Sequence, residues 1–426
     1  MQQPNNRQNA ARLDQKKIMT LLKVLMVIAA LLMVLFAMAK IFRDYFQTET
    51  NLPALKTNTA VTHVIAADTV LDMRPLGSGV VLLTQTELVF LDSSGELIRK
   101  SAHEFASPAI DTKKSNVLLY DKGGTGYKIE KRTGLVFEGQ AEKSIITASV
   151  TEKGGFALAT RADDATSQLI VFSASFKEKF RWNCAAEHIV DVSVSPNNRQ
   201  AVVAVIGSKD AQLYSKVHVF DFSYAESLAM FDLGAVSVFS SEFTANGTAL
   251  VYTSAGIQVV SGKTIAAGRA FDGVTARYYA YADNNRSAIV ASKFGSSHAN
   301  DVYGYSNKGK EVFSLSIDEN VKALACAASS VSLMLNDRIE TYNYSGERIG
   351  SVALSGDAVR LAAVSGKLFV LSSVGVLVYK ADSFVAQTTQ AATTTTQPAD
   401  VSPETTDPSV QTTAPPAQTE PSSKAQ

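Results

Sequence analysis

Apolar residues occur in this chain in two patterns that do not overlap. From Ile18 to Phe42 they run almost unbroken, with Lys23 and Lys40 near the two ends of the run. At 1.5 Å per residue, about 25 helical residues cross the ~30 Å core of a bilayer. A lysine near either end can carry its ammonium to the headgroups. Beyond residue 59 the apolar residues gather instead in short runs broken by turn-forming residues. The segment Gly79 to Lys100, GVVLLTQTELVFLDSSGELIRK, contains one whole unit: an apolar run, a short polar break, a second apolar run, an Asp-Ser-Ser-Gly turn and a mixed run. Gly and Asp supply the backbone angles that such reversals need.

The unit recurs. NVLLY, FALAT, AVVAVI, ALVYT, AIVAS, VSLML and LFVLS begin at Asn116, Phe156, Ala201, Ala249, Ala288, Val331 and Leu368, each after a turn such as DTKKS, SPNNR or VSGK. First runs such as IITASV, VDVSVS and VRLAAV are vaguer. Units between Thr69 and Lys380 repeat at roughly 39 residues, near the ~40–45 of a four-stranded propeller blade. The second runs are apolar on both faces, which fits strands covered from two sides by stacked blades; a sandwich strand would alternate. The predicted fold is all-β, a β-propeller of seven to eight four-stranded blades after a single N-terminal transmembrane helix, with tandem sandwiches as the alternative. Eight blades is the first count. Seven follows if the irregular stretches Tyr214 to Leu233 and Phe271 to Ile317 are miscounted. The last unit, Asp357 to Lys380, supplies three strands, and Ala60 to Ile65 has no partner in the first unit. Pairing the two would close the ring and cover an open edge.

Charge sets the expected orientation. Residues 1–17 carry Arg7, Arg12, Lys16 and Lys17 against Asp14 alone, so the head is expected in the cytoplasm and the body outside. The basic head, the apolar run and Ala37-Met38-Ala39 also describe a cleavable signal peptide, which places the body outside as well. Residues 43–59 form a connector, 60–385 the propeller and 386–426 a Thr/Pro-rich tail without aromatic residues. Such a tail cannot bury enough apolar surface to offset the entropy of ordering and is expected to be disordered.

Lys plus Arg and Asp plus Glu both number 40, without the basic surplus that nucleic acid requires. Cys184 and Cys326 are too few for a disulfide framework and read as buried hydrophobes. The histidines His63, His103, His188, His218 and His298 lack metal-ligand spacing. Gly123-Gly124-Thr125-Gly126 lacks the lysine of a phosphate loop and reads as a hairpin turn. Asp163-Asp164 and Asp283-Asn284-Asn285 lack the alternating ligands of a calcium loop and read as turns. Trp182, Tyr278, Tyr279 and Tyr281 read as blade packing, with a ligand-binding mouth as the rival role. No catalytic, cofactor or metal residue is assigned, and no ligand-binding residue is identified.

The Lys-flanked helix at 18–42, the GVVLLTQTELVFLDSSGELI unit and the Ser-Pro-Asn-Asn and Ala-Asp-Asn-Asn turns resemble an uncharacterised group of membrane-anchored β-propeller proteins from Gram-positive, clostridia-like bacteria. The resemblance covers about Lys16 to Lys380 and implies architecture and location, with no functional residues to transfer. The expected function is a non-enzymatic, membrane-anchored extracytoplasmic platform that binds or scaffolds a protein or cell-wall partner at the cell envelope, without a cofactor. The alternatives are an enzyme with its site in the axial channel, or a sensor ectodomain, the latter weakened by so short a head.

Overall fold

The computed structural model describes residues 61–244, 247–282, 286–354 and 357–380. The expected head, transmembrane helix at 18–42, connector and tail, and the turn expected at 283–285, lie outside them. Among the described residues no helix is long and apolar enough to cross a membrane.

Thirty-two strands, β1 to β32 in chain order, form eight four-stranded antiparallel sheets. Blade 1 is β2–β5 (residues 70–102), blade 2 β6–β9 (108–140), blade 3 β10–β13 (145–184) and blade 4 β14–β17 (188–234). Blade 5 is β18–β21 (238–270), blade 6 β22–β25 (274–317) and blade 7 β26–β29 (323–353). Blade 8 combines β30–β32 (360–380) with β1 (Val61–His63), in the order β1-β32-β31-β30. The ring therefore has eight blades: the first stretch that blurred the count holds most of β16 and β17, and the second holds blade 6.

Burial follows a radial gradient that the sequence pattern dictates. Second strands are enclosed on both faces: β3 (Gly79–Thr84) and β19 (Thr248–Thr253) are buried throughout. Outer strands such as β5 (Leu97–Ala102) and β9 (Gly134–Gln140) have no buried residue. The turns between third and fourth strands repeat one construction. Asp92 Oδ1 accepts from the Ser94 and Glu96 amides at 2.7 and 3.0 Å, and Asn343 Oδ1 from those of Ser345 and Glu347 at 2.9 and 3.0 Å. Gly95 and Gly346 take the left-handed position, at φ +84° and +82°. In blade 3 that position falls to Phe176, at φ +62°, whose ring stacks on Phe137 at 4.5 Å.

The closure expected from the sequence is present, in a shorter form. β1 pairs antiparallel with β32, Val61 opposite Leu377 and His63 opposite Val376. Thr62 Oγ1 donates to the Val376 carbonyl at 3.1 Å. A Cβ at Gly375 would lie 2.2 Å from the His63 carbonyl oxygen, and one at Gly95 2.1 Å from Thr62 Oγ1, so two glycines make room for this strand. Val64 and Ile65 do not join the ladder, and Val64 is 82% exposed. Across the seam, Arg360 donates to the carbonyls of Val70 and Leu71 at 3.3 and 2.6 Å.

Val61 and Val64 are therefore not equivalent. Val61, half-buried, packs against the apolar cluster between blades 7 and 8, so Val61→Asp should forfeit about 1 kcal/mol of burial and add a desolvation cost. Val64→Asp should stay within about 0.5 kcal/mol of the parent. Thermal melting of the two variants distinguishes them.

Candidate functional site

Strand direction assigns every loop to one of two faces. All eight inner strands run the same way, from a face termed upper to a face termed lower. The links between blades and the turns between second and third strands lie on the upper face. The remaining turns lie on the lower face. Because β1 is antiparallel to β32, the chain passes Val61 from the lower face, and Lys380 ends on that same face.

The two faces differ in charge. Among the described residues outside strands, the upper segments hold twelve carboxylates and four lysines or arginines. The lower turns hold five carboxylates and nine lysines or arginines. Cations from strands offset part of the upper excess: Arg181 pairs with Glu142, Lys216 with Glu187, and Arg338 with Glu319 and Asp337. Among the described residues outside strands, the large exposed apolar side chains of the upper segments are Val64, Phe294, Val359 and Val374, and that of the lower turns is Tyr224; the outer strands carry others near their lower ends, Leu97, Leu135, Met230, Val312 and Ile349 among them.

The inner strands shape the channel mouth. Five of them carry an irregular register near the upper end, which sets Leu71, Ile146, Val190, Phe239 and Arg277 out of the ladder. A bulge of this kind re-aims the extra side chain. Leu71, Val190 and Phe239 are 37–43% exposed there.

Below this rim the channel is polar and acidic. Asp191 Oδ2 accepts from the Ser241 amide and hydroxyl of the next blade, at 2.6 and 2.5 Å. Asp111 Oδ2 accepts from the Val150 amide at 2.8 Å, again across a blade boundary. Burial pushes the Asp191 carboxyl up to about 6, and the nearby Asp111 charge adds to the rise while the Ser241 bonds restrain it. Asp72 pairs with Arg74 at 2.8 Å. Burial opposes the Arg74 charge, but Asp72, with Asp111 and Tyr279 further off, holds the guanidinium above its ordinary value. Toward the lower end, Lys113 of blade 2 forms an ion pair with Glu242 of blade 5, and its ammonium lies 5.7 Å from the centre of the Tyr281 ring of blade 6. The channel is thus a well, rimmed above by apolar side chains and Arg277 and bridged by an ion pair below.

The structure separates the residues that stood out in the sequence. His103 is buried, its Nε2 3.3 Å from the Thr84 carbonyl, and His218 lies against Trp182, ring centres 5.0 Å apart. Burial lowers both imidazole pKa values. His63 is in the closure strand, and His188 and His298 are exposed in blades 4 and 6. No group of three potential metal ligands occurs among the described residues. Cys184 and Cys326 are both buried and free. Gly123 and Gly124 lie in the β7–β8 turn, and Asp163 pairs with Lys143 at 2.7 Å. Trp182 and Tyr278 pack in blade interfaces, whereas Tyr279 and Tyr281 reach the channel side and surround Tyr252. The channel residues Asp72, Asp111 and Asp191 escaped sequence reading. Their one shared signal is an apolar residue before an Asp in the first run of a unit, as in Leu71-Asp72, Ile110-Asp111 and Val190-Asp191.

The Asp191 shift has a testable sign. A carboxyl whose folded pKa lies above its unfolded 3.8 favours folding while protonated, so this contribution is complete below about pH 4 and is lost as pH rises through about 6. The span of roughly two pH units corresponds to up to about 3 kcal/mol. Asp191→Asn should abolish that part of the pH dependence and be more stable than the parent at neutral pH. Chemical denaturation on either side of the transition measures both; an unchanged slope would contradict the assignment.

Comparison with known proteins follows the geometry. The C-terminal WD40 domain of Sif2 superposes with a TM-score of 0.53 at 11% identity, covering 76% of this chain and 98% of that one. BamB from Moraxella catarrhalis gives 0.46 at 11% identity over 75% of this chain and 98% of its own. The β-propeller domain of Cps50 (Swd1) from Myceliophteria thermophila gives 0.45 at 11% identity over 67 and 97%. At such identity the likeness to Sif2 concerns the propeller fold alone. A search of curated proteins finds no match. A family profile matches residues 55–376, and the chain belongs to that family, DUF5711, a family of unknown function.

Proposed function

We propose that this protein is a non-enzymatic, membrane-tethered platform that takes a protein partner on its upper face, outside the cytoplasm. One observation carries the reading: the carboxylates and the exposed apolar side chains of the segments outside strands gather on the face opposite the one at which the chain passes Val61 and Lys380. A tether attached below leaves the upper face free to meet a partner. Exposed apolar groups concentrated on one face are a mark of interaction surfaces. The basic head before the apolar run supports an extracytoplasmic body.

An enzyme in the channel is the second reading, favoured by the carboxylates of Asp191 and Asp111 lying near each other in the channel. Against it, both carboxylates accept amides of the neighbouring blade, and among the described residues the hydroxyl hydrogen-bonded to either is that of Ser241, which already donates to Asp191. Holding blades together accounts for those bonds.

Photo-crosslinking tests the platform. Benzoylphenylalanine at Phe239 or Phe294 should give discrete adducts in intact cells, while the same group at Tyr224 should not. Because both native cysteines are buried, a cysteine placed at Asp210 should react with an impermeant maleimide added to intact cells. Adducts from Tyr224 alone, or a protected cysteine at 210, would overturn the reading.

A further inference from the structure

We propose that the upper face docks a cationic protein segment and that the axial well receives one of its basic side chains. This rests on the reading of the upper face as the docking face and adds the chemistry of the partner.

The charge of that face is not used up internally. Asp68, Glu104, Asp164, Asp210, Asp272 and Asp318 have no ion pair among the described residues, and they are spread over several blades and the links between them. A face of one sign steers an oppositely charged partner and rejects like-charged ones. Anionic headgroups and phosphate are therefore excluded as occupants.

The well fits the shape of an arginine or lysine. Such side chains join an aliphatic stem to a charged head. The rim offers Val190 and Phe239 to the stem, while Leu71 lines a separate cleft with Val64 and Ile65, and register places the carboxylates of Asp191 and Asp111 deeper along the inner strands. The cations already there are engaged: Arg74 with Asp72, Lys113 with Glu242, and at the rim Arg277 donates to Asn320 Oδ1 and the Ser297 carbonyl at 3.2 and 3.4 Å. Neither Asp111 nor Asp191 has an ion-pair partner within hydrogen-bonding range among the described residues, although Arg74 lies near enough for the Asp111 charge to act on it. An incoming guanidinium or ammonium would supply the missing positive charge.

The test uses the full chain in nonionic detergent and fluorescein-labelled nine-residue peptides. One peptide alternates Arg with Leu and Val, a second replaces Arg with citrulline, and a third replaces it with Glu. Anisotropy should show binding of the Arg peptide, weaker binding of citrulline and none of Glu, with the preference falling as salt rises from about 0.05 to about 0.5 M. Asp164→Lys, Asp272→Lys and Asp318→Lys together should weaken the Arg peptide at least about ten-fold, while Glu96→Lys with Glu347→Lys on the lower face should change it by less than about two-fold. Asp191→Asn should narrow the gap between Arg and citrulline. Equal binding of the Arg and Glu peptides, or equal losses from upper and lower reversals, would overturn the proposal. Crosslinks at Phe239 to a partner without charge preference would keep the docking face and reject this chemistry. Sedimentation showing self-association abolished by the upper reversal would make a second copy the occupant and overturn it too.

Discussion

The ring depends on a short ladder between the two ends of the domain. Each blade is covered on both faces by its neighbours, so no blade can bury its second strand alone. A linear chain must therefore tie its first and last blades together, and here β1 does so through pairs at Val61 and His63. An opened seam would bare Val80, Leu82, Phe369 and Leu371 on the two sides of the boundary. At roughly 1.5–3 kcal/mol for each such side chain, that loss is comparable with the ~5–15 kcal/mol by which whole domains are stable. Arg360, reaching from blade 8 to two carbonyls of blade 1, reinforces the same boundary.

How far the fold could be read from the sequence follows from what each strand touches. Second strands lie between two apolar neighbours, so Val80 to Leu83 and Ala201 to Val205 are uniformly apolar and visible as runs. First strands pack a blade on each face but leave one ladder edge open to the channel, so β2 and β14 mix Asp72, Arg74, Asp191 and Ser193 with core residues. Their vagueness in the sequence is the channel itself. Closure could be inferred because three strands in the last unit imply a fourth elsewhere. Its length could not, since Val64 is as apolar as Val61 and differs only in what surrounds it.

The polarity between faces could not be read from the sequence for a different reason. Successive loops go alternately to the upper and lower face, so acidic and basic segments interleave along the chain and cancel in any running average. The equal totals of 40 and 40 conceal a separation that appears only once strand direction is known. Asp318 and Lys308 stand ten positions apart in sequence and on opposite faces of the ring.

The channel adds an argument that the blades alone do not supply. Blade 3 presents Thr147 and Ser149 along its inner strand, small polar groups that satisfy the pattern without charge. Blades 2 and 4 present Asp111 and Asp191 instead, and burial makes the Asp191 charge costly at neutral pH. A hydroxyl could accept the same amide, as Ser193 does for Phe243 at 3.0 Å. A structural role therefore does not require carboxylates at these two positions. Their placement beneath the rim, on the face richest in negative charge, is what a site for a cationic side chain would need, and at neutral pH a cation there would offset the cost of the buried Asp191 charge.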